Sequence, residues 1–554
     1  MAHSITPLGF ENVDITGGFW FERQNINKKA TLKAVYDRFE QTGRFAALEC
    51  KWDGSPEHKP HVFWDSDTAK WIEGASYIIA KEYDEEISAR IEKMIDCIEK
   101  NRDKNGYFNS YYLAVEPENK FTVRVNHELY CLGHFIEAAL AYKHATGRDR
   151  FLKLMCDYTD YVCKVFLEEN SAVFVTPGHQ EIELALVKLY RVTNEKKYLD
   201  LAKYFIDLRG IGKNYFLEEE KRPGHKRIFP DFVNYDTMYA QAHKPVRKQR
   251  TAEGHAVRAN YMYSAMADLA YEYQDKELQQ ACRNLWDNMV HKRMYITGSV
   301  GSSGFLERFT TDYDLPNDSN YSETCATIAL AMFGKRMADM EKDASYMDVV
   351  ERALYNTLLS GIAMDGKSFF YVNPLEVWPA NCMPRTSREH VKPVRQKWFG
   401  VACCPPNIAR TLASMGQYIY FTDKNTAYVN LYISNEAQIE LEEGSLKIQI
   451  ESDLTNTGHI RMAITPDGED EHRLALRIPD YVKTYTIKRD GKILRNARIS
   501  QSYLLIEDIK EQTEIEIDFE VPAKFVRANP NVREDAGKVA LVKGPLVYCL
   551  EETD

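Results

Sequence analysis

Three cysteines and one glutamate are the side chains with the clearest chemical potential. Glu323 and Cys325 are two residues apart, and Cys403 and Cys404 are adjacent. One carboxylate and three thiolates make a complete tetrahedral ligand set for Zn²⁺, which binds cysteine sulfur and glutamate oxygen. The usual Cys-x-x-Cys spacing is absent, so the competing interpretation is that the adjacent cysteines are small buried residues. We predict one zinc ion bound by Glu323, Cys325, Cys403 and Cys404.

The adjacent cysteines are also candidates for a nucleophile. Two prolines follow Cys404, and the second of them could open a helix. A helix N-terminus and a bound cation both lower the pKa of a thiol, so one of the two cysteines could be a thiolate at neutral pH. Consecutive side chains in extended backbone point to opposite sides, so Cys403 and Cys404 cannot face a ligand equally. These residues alone do not indicate which of the two cysteines is the nucleophile.

A reaction with a thiolate nucleophile also needs a proton donor. Glu307 lies in a Gly/Ser-rich stretch, "GSVGSSGFLERFT", shortly before the predicted zinc ligands Glu323 and Cys325. This position would place its carboxylate on the loop side of the ligand cluster. A solvated loop carboxylate is the competing interpretation of Glu307.

Helical hairpins are predicted over most of the chain before residue 420. Helix-like periods recur in the segments 22–41, 67–82, 85–103, 127–146, 148–168, 179–194, 196–208, 254–274, 276–293, 322–340, 344–363 and 405–418. Most segments form pairs joined by short polar turns, which implies antiparallel neighbours. Repeated hairpins build either an open solenoid or a closed toroid. We favour a closed (α/α)6 barrel, because the six pairs are irregularly spaced and are interrupted by long insertions at 209–253 and 294–321.

Polar residues stand at matching places in four of these repeats, at the start of a helix. They are His127, His179, His255 and Glu323. If the inner helices begin at equivalent positions, these residues gather at one mouth of the barrel. A lone histidine at a helix start is more often a cap or a surface residue, but the matching positions weaken that interpretation.

From about residue 420 the apolar period changes to two. Segments such as "SLKIQIESD" and "TEIEIDFEV" alternate apolar and polar residues between turn signals, which predicts a β-sandwich. We assign residues 1–419 to the barrel and 420–524 to the sandwich. Residues 525–554 contain a further strand pattern, which we interpret as the start of a second, truncated β-sandwich.

The overall composition excludes several classes of protein. The 554-residue chain has a net charge of −11 and no Lys/Arg-rich block, which argues against nucleic acid or an anionic membrane as the main partner. No apolar stretch approaches the roughly 20 residues that span a bilayer, and the N-terminus lacks the pattern of a secretory signal. Most of the eleven cysteines lie in apolar helical patterns, which is typical of a reducing compartment. We therefore predict a cytoplasmic protein.

Several motifs resemble glycoside hydrolase family 127, the β-L-arabinofuranosidases. They are "NHELYCLGHFIEAA", "PGHQEIELAL", "EGHAVRANYMY", "YSETCATIA", "FFYVNPLE" and "FGVACCPPNIAR". The resemblance extends over nearly the whole chain, and the Glu-x-Cys motif with a later Cys-Cys-Pro is very specific. It implies an (α/α)6 barrel with two β-sandwiches, and hydrolysis of terminal β-linked L-arabinofuranose with retention of configuration. The second sandwich looks largely missing, which puts in doubt the homodimer that family members often form through their C-terminal parts.

The resemblance also implies roles for individual residues. The zinc ligands would be Glu323, Cys325, Cys403 and Cys404. Cys403 would be the nucleophile and Glu307 the general acid and base. The residues at sugar-contacting positions would be His127, His179, His255, Glu323 and Tyr371. The expected substrate is a small oligosaccharide or glycoside.

Two other functions remain compatible with these residues. One is a different (α/α)6 sugar enzyme, either a hydrolase of another sugar or an epimerase, with a structural zinc. Enzymes of that group act through histidines or carboxylates and use no thiol, and one tightly bound zinc would favour the thiolate hydrolase over them. The other is a carbohydrate-binding or scaffold protein, which formation of a covalent adduct with a sugar electrophile would exclude.

Overall fold

The computed structural model describes residues 9–212, 236–468, 470–495 and 497–554, together with Glu218 and Lys221. The insertion predicted at 209–253 therefore lies partly outside the described residues. The described chain forms a helical part followed by three β-sheets. In this described part, no helix combines the length and the apolar character needed to cross a membrane.

Six helices form the inner ring of the helical part. In chain order they are Trp64–Lys81, Glu128–Thr146, Ile182–Thr193, Ala256–Glu272, Thr324–Glu341 and Cys404–Ala413. Each packs against the next, and the last one, Cys404–Ala413, packs against both Thr324–Glu341 and Trp64–Lys81. The ring is therefore closed, which excludes the open solenoid. The predicted (α/α)6 barrel is confirmed.

Outer helices cover this ring. They are Gly18–Ile26, which continues through Asn27–Thr31 into Leu32–Gln41, then Glu85–Asn101, Arg150–Cys163, Lys196–Leu208, Lys276–Lys292 and Ser345–Ala353. In the second of them, Ile91, Ile95 and Ile98 are buried on one face, the spacing of a helix with one side on a core. The inner helices are instead buried nearly all round, as are all residues from Ala256 to Ala270. Two short helices, Arg44–Ala47 and Ser110–Val115, lie in the connections.

The strands follow the helical part with one exception. They are β1 Val13–Ile15, β2 Tyr420–Asp423, β3 Thr426–Val429, β4 Asn435–Glu440, β5 Ser445–Asp453, β6 His459–Asp467, β7 His472–Arg477, β8 Thr484–Arg489, β9 Lys492–Ile493, β10 Ile499–Ser500, β11 Tyr503–Ile509, β12 Thr513–Glu520, β13 Lys524–Val526, β14 Ala540–Lys543 and β15 Leu546–Tyr548. One sheet has the order β1-β4-β5-β6-β12-β8-β9, and a second has the order β10-β11-β7-β3-β2. In β5, Leu446, Ile448 and Ile450 are buried and alternate with outward-facing residues, as the period of two predicts.

The segment before the barrel takes part in the first sheet. Strand β1 pairs antiparallel with β4, through Val13 opposite Ala437 and Ile15 opposite Asn435. The predicted boundary at residue 420 coincides with the start of β2. Strands β13, β14 and β15 form a separate antiparallel sheet at the end of the chain.

Candidate active site

The N-terminal ends of the inner helices form one mouth of the barrel, and the polar residues predicted there lie together. His127, His255 and Glu323 are the N-cap residues of the second, fourth and fifth inner helices. His179 lies three residues before the third inner helix. The imidazole rings of His127 and His179 are 5.4 Å apart, and those of His179 and His255 are 5.5 Å apart. The helical repeat thus places three histidines in a row.

His255 is oriented by the helix that it caps. Its Nδ1 accepts hydrogen bonds from the backbone N–H groups of Val257 and Arg258, at 3.2 and 3.3 Å. The ring proton therefore lies on Nε2, which donates to Glu307 Oε2 at 2.6 Å. Burial lowers the pKa of His255 and favours this neutral ring.

Glu307 is held by two donors. Besides His255, the hydroxyl of Tyr321 donates to Glu307 Oε1 at 2.7 Å. Burial raises the pKa of Glu307, but the neighbouring His255 and the hydrogen bond from Tyr321 outweigh burial, so the pKa is lowered overall. The Glu307 side chain is still 32% exposed. It is a positioned carboxylate that solvent or a ligand can reach.

The turn Phe305–Glu307 presents this carboxylate in unusual backbone. Leu306 and Glu307 have φ values of 55° and 54°, in the left-handed region that residues other than glycine seldom adopt. The side chain of Leu306 packs against Tyr239 and Ala240. Such backbone costs about 1–3 kcal/mol per residue and persists where surrounding contacts hold it, most often at functional sites.

The three cysteines and Glu323 converge at the same mouth. The sulfur of Cys325 lies 3.5 Å from that of Cys403 and 3.3 Å from that of Cys404, and the last two are 3.9 Å apart. Glu323 Oε1 lies 3.5 Å from Cys403 Sγ and 3.7 Å from Cys404 Sγ. Sulfur and oxygen ligands placed tetrahedrally around Zn²⁺ would be about 3.6–3.8 Å apart. These four side chains therefore fit a tetrahedral zinc site.

The adjacent cysteines reach this point because the chain turns into a helix there. Cys403 is the N-cap of the sixth inner helix, and Pro405 and Pro406 lie in its first turn, where no intrahelical N–H bond is lost. The expectation of extended backbone is wrong: Cys403 has φ −67° and ψ −35°, in the helical region. Helical backbone lets both sulfurs of the pair approach one point, which extended backbone would prevent.

The three cysteines differ in their solvent exposure. Cys403 is partly exposed, whereas Cys404 is 0% and Cys325 is 2% exposed. The hydroxyl of Tyr371 lies 2.9 Å from Cys403 Sγ. Of the three cysteines, Cys403 is therefore the one with part of its surface accessible from the mouth of the barrel.

The four acidic groups of the cluster differ in pKa: contact with the Cys325 thiol holds the pKa of Cys403 well above its ordinary value, and burial does the same for Cys404. Burial raises the pKa of Cys325, but hydrogen bonding with the thiols of Cys403 and Cys404 outweighs it and brings the value to about 6. Burial, followed by the charge of Cys403, holds the pKa of Glu323 well above its ordinary value. A divalent cation among these groups would relieve the repulsion between their ionised forms, because it favours deprotonated ligands.

Glu323 is a member of two groups of side chains in this site. Its carboxylate forms one group with the three thiols, and another with a ring nitrogen of His255 and the carboxylate of Glu307. Within each group all of these atoms lie within 4.8 Å of one another. The accessible thiol of Cys403 and the accessible carboxylate of Glu307 therefore both adjoin one side chain.

Sequence reasoning missed three side chains of this site. Tyr321, which binds Glu307, stands two residues before Glu323, and that proximity is a signal that could have indicated it. The ring of Tyr130 lies 4.2 Å from that of His179, and the ammonium group of Lys70 donates to the Tyr130 hydroxyl at 3.0 Å. Both of these lie within inner helices, where no sequence pattern distinguishes them from core residues.

Three family models match consecutive parts of the chain. The model of the β-L-arabinofuranosidase GH127 catalytic domain matches residues 12–417, and that of the GH127 middle domain matches residues 426–521. The model of the glycoside hydrolase family 127 C-terminal domain matches residues 523–554. The first match spans the helical part, and the second spans strands β3 to β12.

Individual proteins are similar over the same extent. A curated relative, a non-reducing end β-L-arabinofuranosidase of Bifidobacterium longum subsp. longum, is 38% identical over 505 residues, which are 89% of this chain and 76% of the relative. The crystal structure of a GH127 β-L-arabinofuranosidase from Geobacillus stearothermophilus T6 is 42% identical, with a TM-score of 0.93 over 98% of this chain and 87% of that one. The structure of another GH127 β-arabinofuranosidase is 34% identical, with a TM-score of 0.89 over 100% of this chain and 86% of that one.

Proposed function

Because the chain belongs to glycoside hydrolase family 127, we propose that it releases terminal β-L-arabinofuranose from the non-reducing end of oligosaccharides or glycoconjugates, with retention of configuration. The curated relative carries the name of that non-reducing-end activity. We assign Cys403 as the nucleophile and Glu307 as the general acid and base. The substrate is accordingly a glycoside with a small furanose at its end.

The assignment of Cys403 and Glu307 rests on one observation, which is that both lie next to Glu323. A retaining displacement needs a nucleophile and a proton donor that act on the same glycosidic bond. The partly exposed thiol of Cys403 and the partly exposed carboxylate of Glu307 both adjoin Glu323 at the mouth of the barrel. The other two thiols, Cys325 and Cys404, are buried behind this surface.

In the first step, the thiolate of Cys403 attacks the anomeric carbon and a C–S bond forms. The bond from that carbon to the leaving oxygen breaks, and the oxygen takes a proton from the protonated form of Glu307, which is the minor form because His255 and Tyr321 lower the pKa of this carboxyl group. The second oxygen of Glu307 stays bound to the Tyr321 hydroxyl or to His255 during the transfer, which keeps the carboxyl group aligned.

In the second step, a water molecule attacks the anomeric carbon of the thioglycosyl intermediate. Glu307, now a carboxylate, takes a proton from this water. The C–S bond breaks and the sulfur of Cys403 leaves as a thiolate. The two displacements invert the anomeric carbon twice, so the product keeps the configuration of the substrate.

The donor set at Cys403 fits zinc, and the four ligands would be Glu323, Cys325, Cys403 and Cys404. When bound, Zn²⁺ would keep these thiols deprotonated at neutral pH, so that sulfur is available as nucleophile and as leaving group. The chain itself contributes the helix start that carries Cys403 and the tyrosine hydroxyl of Tyr371 at 2.9 Å from its sulfur.

A row of polar side chains would bind the hydroxyl groups of the sugar. These side chains are His127, His179, His255, Glu323 and Tyr371, all at the mouth of the barrel. Buried polar groups of this kind discriminate strongly against sugars that lack a matching hydroxyl, because the protein groups are then left unpaired. The arrangement suits a small, polar furanose better than a large apolar ligand.

The proposed activity is tested by release of L-arabinose from a 4-nitrophenyl β-L-arabinofuranoside, with the anomeric configuration of the first product followed by NMR. We expect β-L-arabinofuranose to appear first. Release of the α-anomer first would contradict retention. No release from this substrate, with release from another aryl glycoside, would contradict the substrate assignment.

Removal of the metal is expected to abolish this activity. The reason is that without a cation the thiols of the cluster compete for protons, and the fraction of Cys403 thiolate falls. We expect about one zinc per chain by mass spectrometry in the active protein, and a loss of at least about 100-fold in kcat after chelation under reducing conditions. Full activity of a verified zinc-free sample with intact thiols would contradict the proposed site.

Replacing Tyr321 by phenylalanine is expected to lower kcat about ten-fold with little change in KM. The change removes only the hydroxyl that donates to Glu307, so the acid loses alignment while the sugar contacts remain. Tyr295→Phe is the matched control, because it removes a hydroxyl bonded to the Pro316 carbonyl outside the site. Equal rates for both variants would show that Tyr321 does not act through Glu307.

The predictions of a homodimer and of a cytoplasmic location stay predictions. Light scattering of the purified chain would test the first, and fractionation of cells that produce the protein would test the second.

A further inference from the structure

Lys70 is a fully buried cation beneath the mouth of the barrel. It lies on the first inner helix with 0% exposure, and its ammonium group donates to the hydroxyl of Tyr130 at 3.0 Å. Within the described ranges of the chain, no carboxylate oxygen lies within 4.0 Å of this ammonium group. Buried lysines are normally paired with an anion, because an uncompensated charge is costly in the protein interior. The fold therefore has to provide a compensating negative charge near Lys70.

The packing of two inner helices places Lys70 beside the start of the helix that carries the cysteines. Phe63, directly before the first inner helix, has its ring 5.9 Å from that of His127, so this helix also begins at the mouth. A Cβ atom at Gly74 would lie 3.2 Å from the backbone of Arg410, so the first and sixth inner helices touch there. Since both helices begin at the same mouth, Lys70 lies one turn nearer to it than this contact, at the level of the turn before Arg410.

Tyr130 connects Lys70 with the active site. Its hydroxyl accepts the hydrogen bond from Lys70, and its ring lies 4.2 Å from that of His179. Tyr130 thus links the buried ammonium group of Lys70 to the row of histidines at the mouth of the barrel.

The proposed metal centre supplies the negative charge that Lys70 lacks. One Zn²⁺ with three thiolates and one carboxylate has a net charge of roughly −2. Arg410, a buried cation of the sixth inner helix, is already paired with Glu73 and Glu137 at 2.7 and 2.8 Å. The ammonium group of Lys70 has no such carboxylate among the described residues.

We propose that the ammonium group of Lys70, held in place by Tyr130, is the counter-charge of the zinc–thiolate centre. Lys70 is thereby a positioning residue: it stabilises the ionised ligand set without contact with the substrate. This inference rests on the proposed zinc site. It predicts that the charge of Lys70, rather than its volume, sets part of the affinity for zinc.

The experiment measures zinc affinity of the full-length chain at neutral pH, by competition with a chromogenic chelator. Lys70→Met removes the charge and nearly keeps the volume, and we expect it to weaken zinc binding about 10–100-fold. Lys70→Arg keeps the charge, and its affinity should stay within about three-fold of the wild type. The matched control is Lys335→Met, which removes another buried lysine, one paired with Asp339 on the fifth inner helix; its zinc affinity should be unchanged.

Each result of the zinc-binding experiment either supports or contradicts the proposed role of Lys70. Wild-type affinity in Lys70→Met, or equal losses in Lys70→Met and Lys70→Arg, would overturn the role of the charge while leaving the zinc site intact. A wild-type chain that binds no zinc would overturn both the metal centre and the role of Lys70. If Lys70→Met fails to fold, Tyr130→Phe replaces it: loss of the hydroxyl that holds Lys70 should weaken zinc binding about three-fold, and unchanged affinity would overturn the proposal.

Discussion

Replacement of Cys403 by serine is expected to reduce kcat/KM for an aryl β-L-arabinofuranoside by at least about 1,000-fold while the protein still folds. A serine hydroxyl is far less ionised than a thiol at neutral pH, so the attack on the anomeric carbon loses its nucleophile. The variant keeps a polar atom at the start of the sixth inner helix. Initial rates and zinc content are to be measured on the same sample, so that loss of chemistry is separated from loss of metal.

Cys404→Ser is the matched control for this prediction. The two cysteines are neighbours in one cluster, with sulfurs 3.9 Å apart, but Cys404 is fully buried. We therefore expect Cys404→Ser to lose activity in proportion to the zinc it loses, and added zinc to restore part of the activity. Near-normal turnover of a zinc-replete Cys403→Ser variant would overturn the assignment of the nucleophile.

Covalent labelling gives a second readout for the same assignment. A bromoacetamide derivative of L-arabinofuranose should alkylate the partly exposed Cys403, and an excess of substrate should protect it. Peptide mapping identifies the labelled residue. A label on Cys404 would show that the structure assigns accessibility to the wrong sulfur.

Glu307→Gln is expected to lower the rate on a disaccharide substrate by roughly 100- to 10,000-fold. The amide cannot donate a proton to a poor leaving group such as a sugar oxygen. An aryl glycoside with a good leaving group needs little protonation, so its first step should be much less affected. Comparison of kcat/KM for the two substrates measures this difference. Equal slowing on both would place the acid elsewhere.

The second step supplies a further test of Glu307. Because the base is also lost in Glu307→Gln, the thioglycosyl form of Cys403 should accumulate, visible as a burst of aryl alcohol and as added pentosyl mass on the intact chain. Azide attacks without a base, so adding it should speed turnover of the variant. Glu376→Gln is the control, since this glutamate pairs with Lys538 at the surface and its loss should change neither step.

The sequence by itself determined the local elements and the kinds of chemistry. Apolar residues at helical spacing predicted the paired helices, and alternation predicted strands such as β5, because both periods follow from backbone geometry within one element. The matching helix starts placed His127, His255 and Glu323 at one mouth, since equivalent positions of a repeat have equivalent places in a ring. The ligand types at Glu323, Cys325, Cys403 and Cys404 indicated zinc through donor chemistry alone.

Other features of the site depend on contacts between residues far apart in the chain. Packing of Cys404–Ala413 against Trp64–Lys81 closes the ring, and no local period encodes that contact. Tertiary packing also decides which of two adjacent thiols is exposed, and it pairs Glu307 with His255 across 52 positions. It leaves Lys70 buried without a carboxylate partner among the described residues. The physical reason is that side-chain direction and burial are set by neighbouring helices, which the spacing of residues within one helix does not specify.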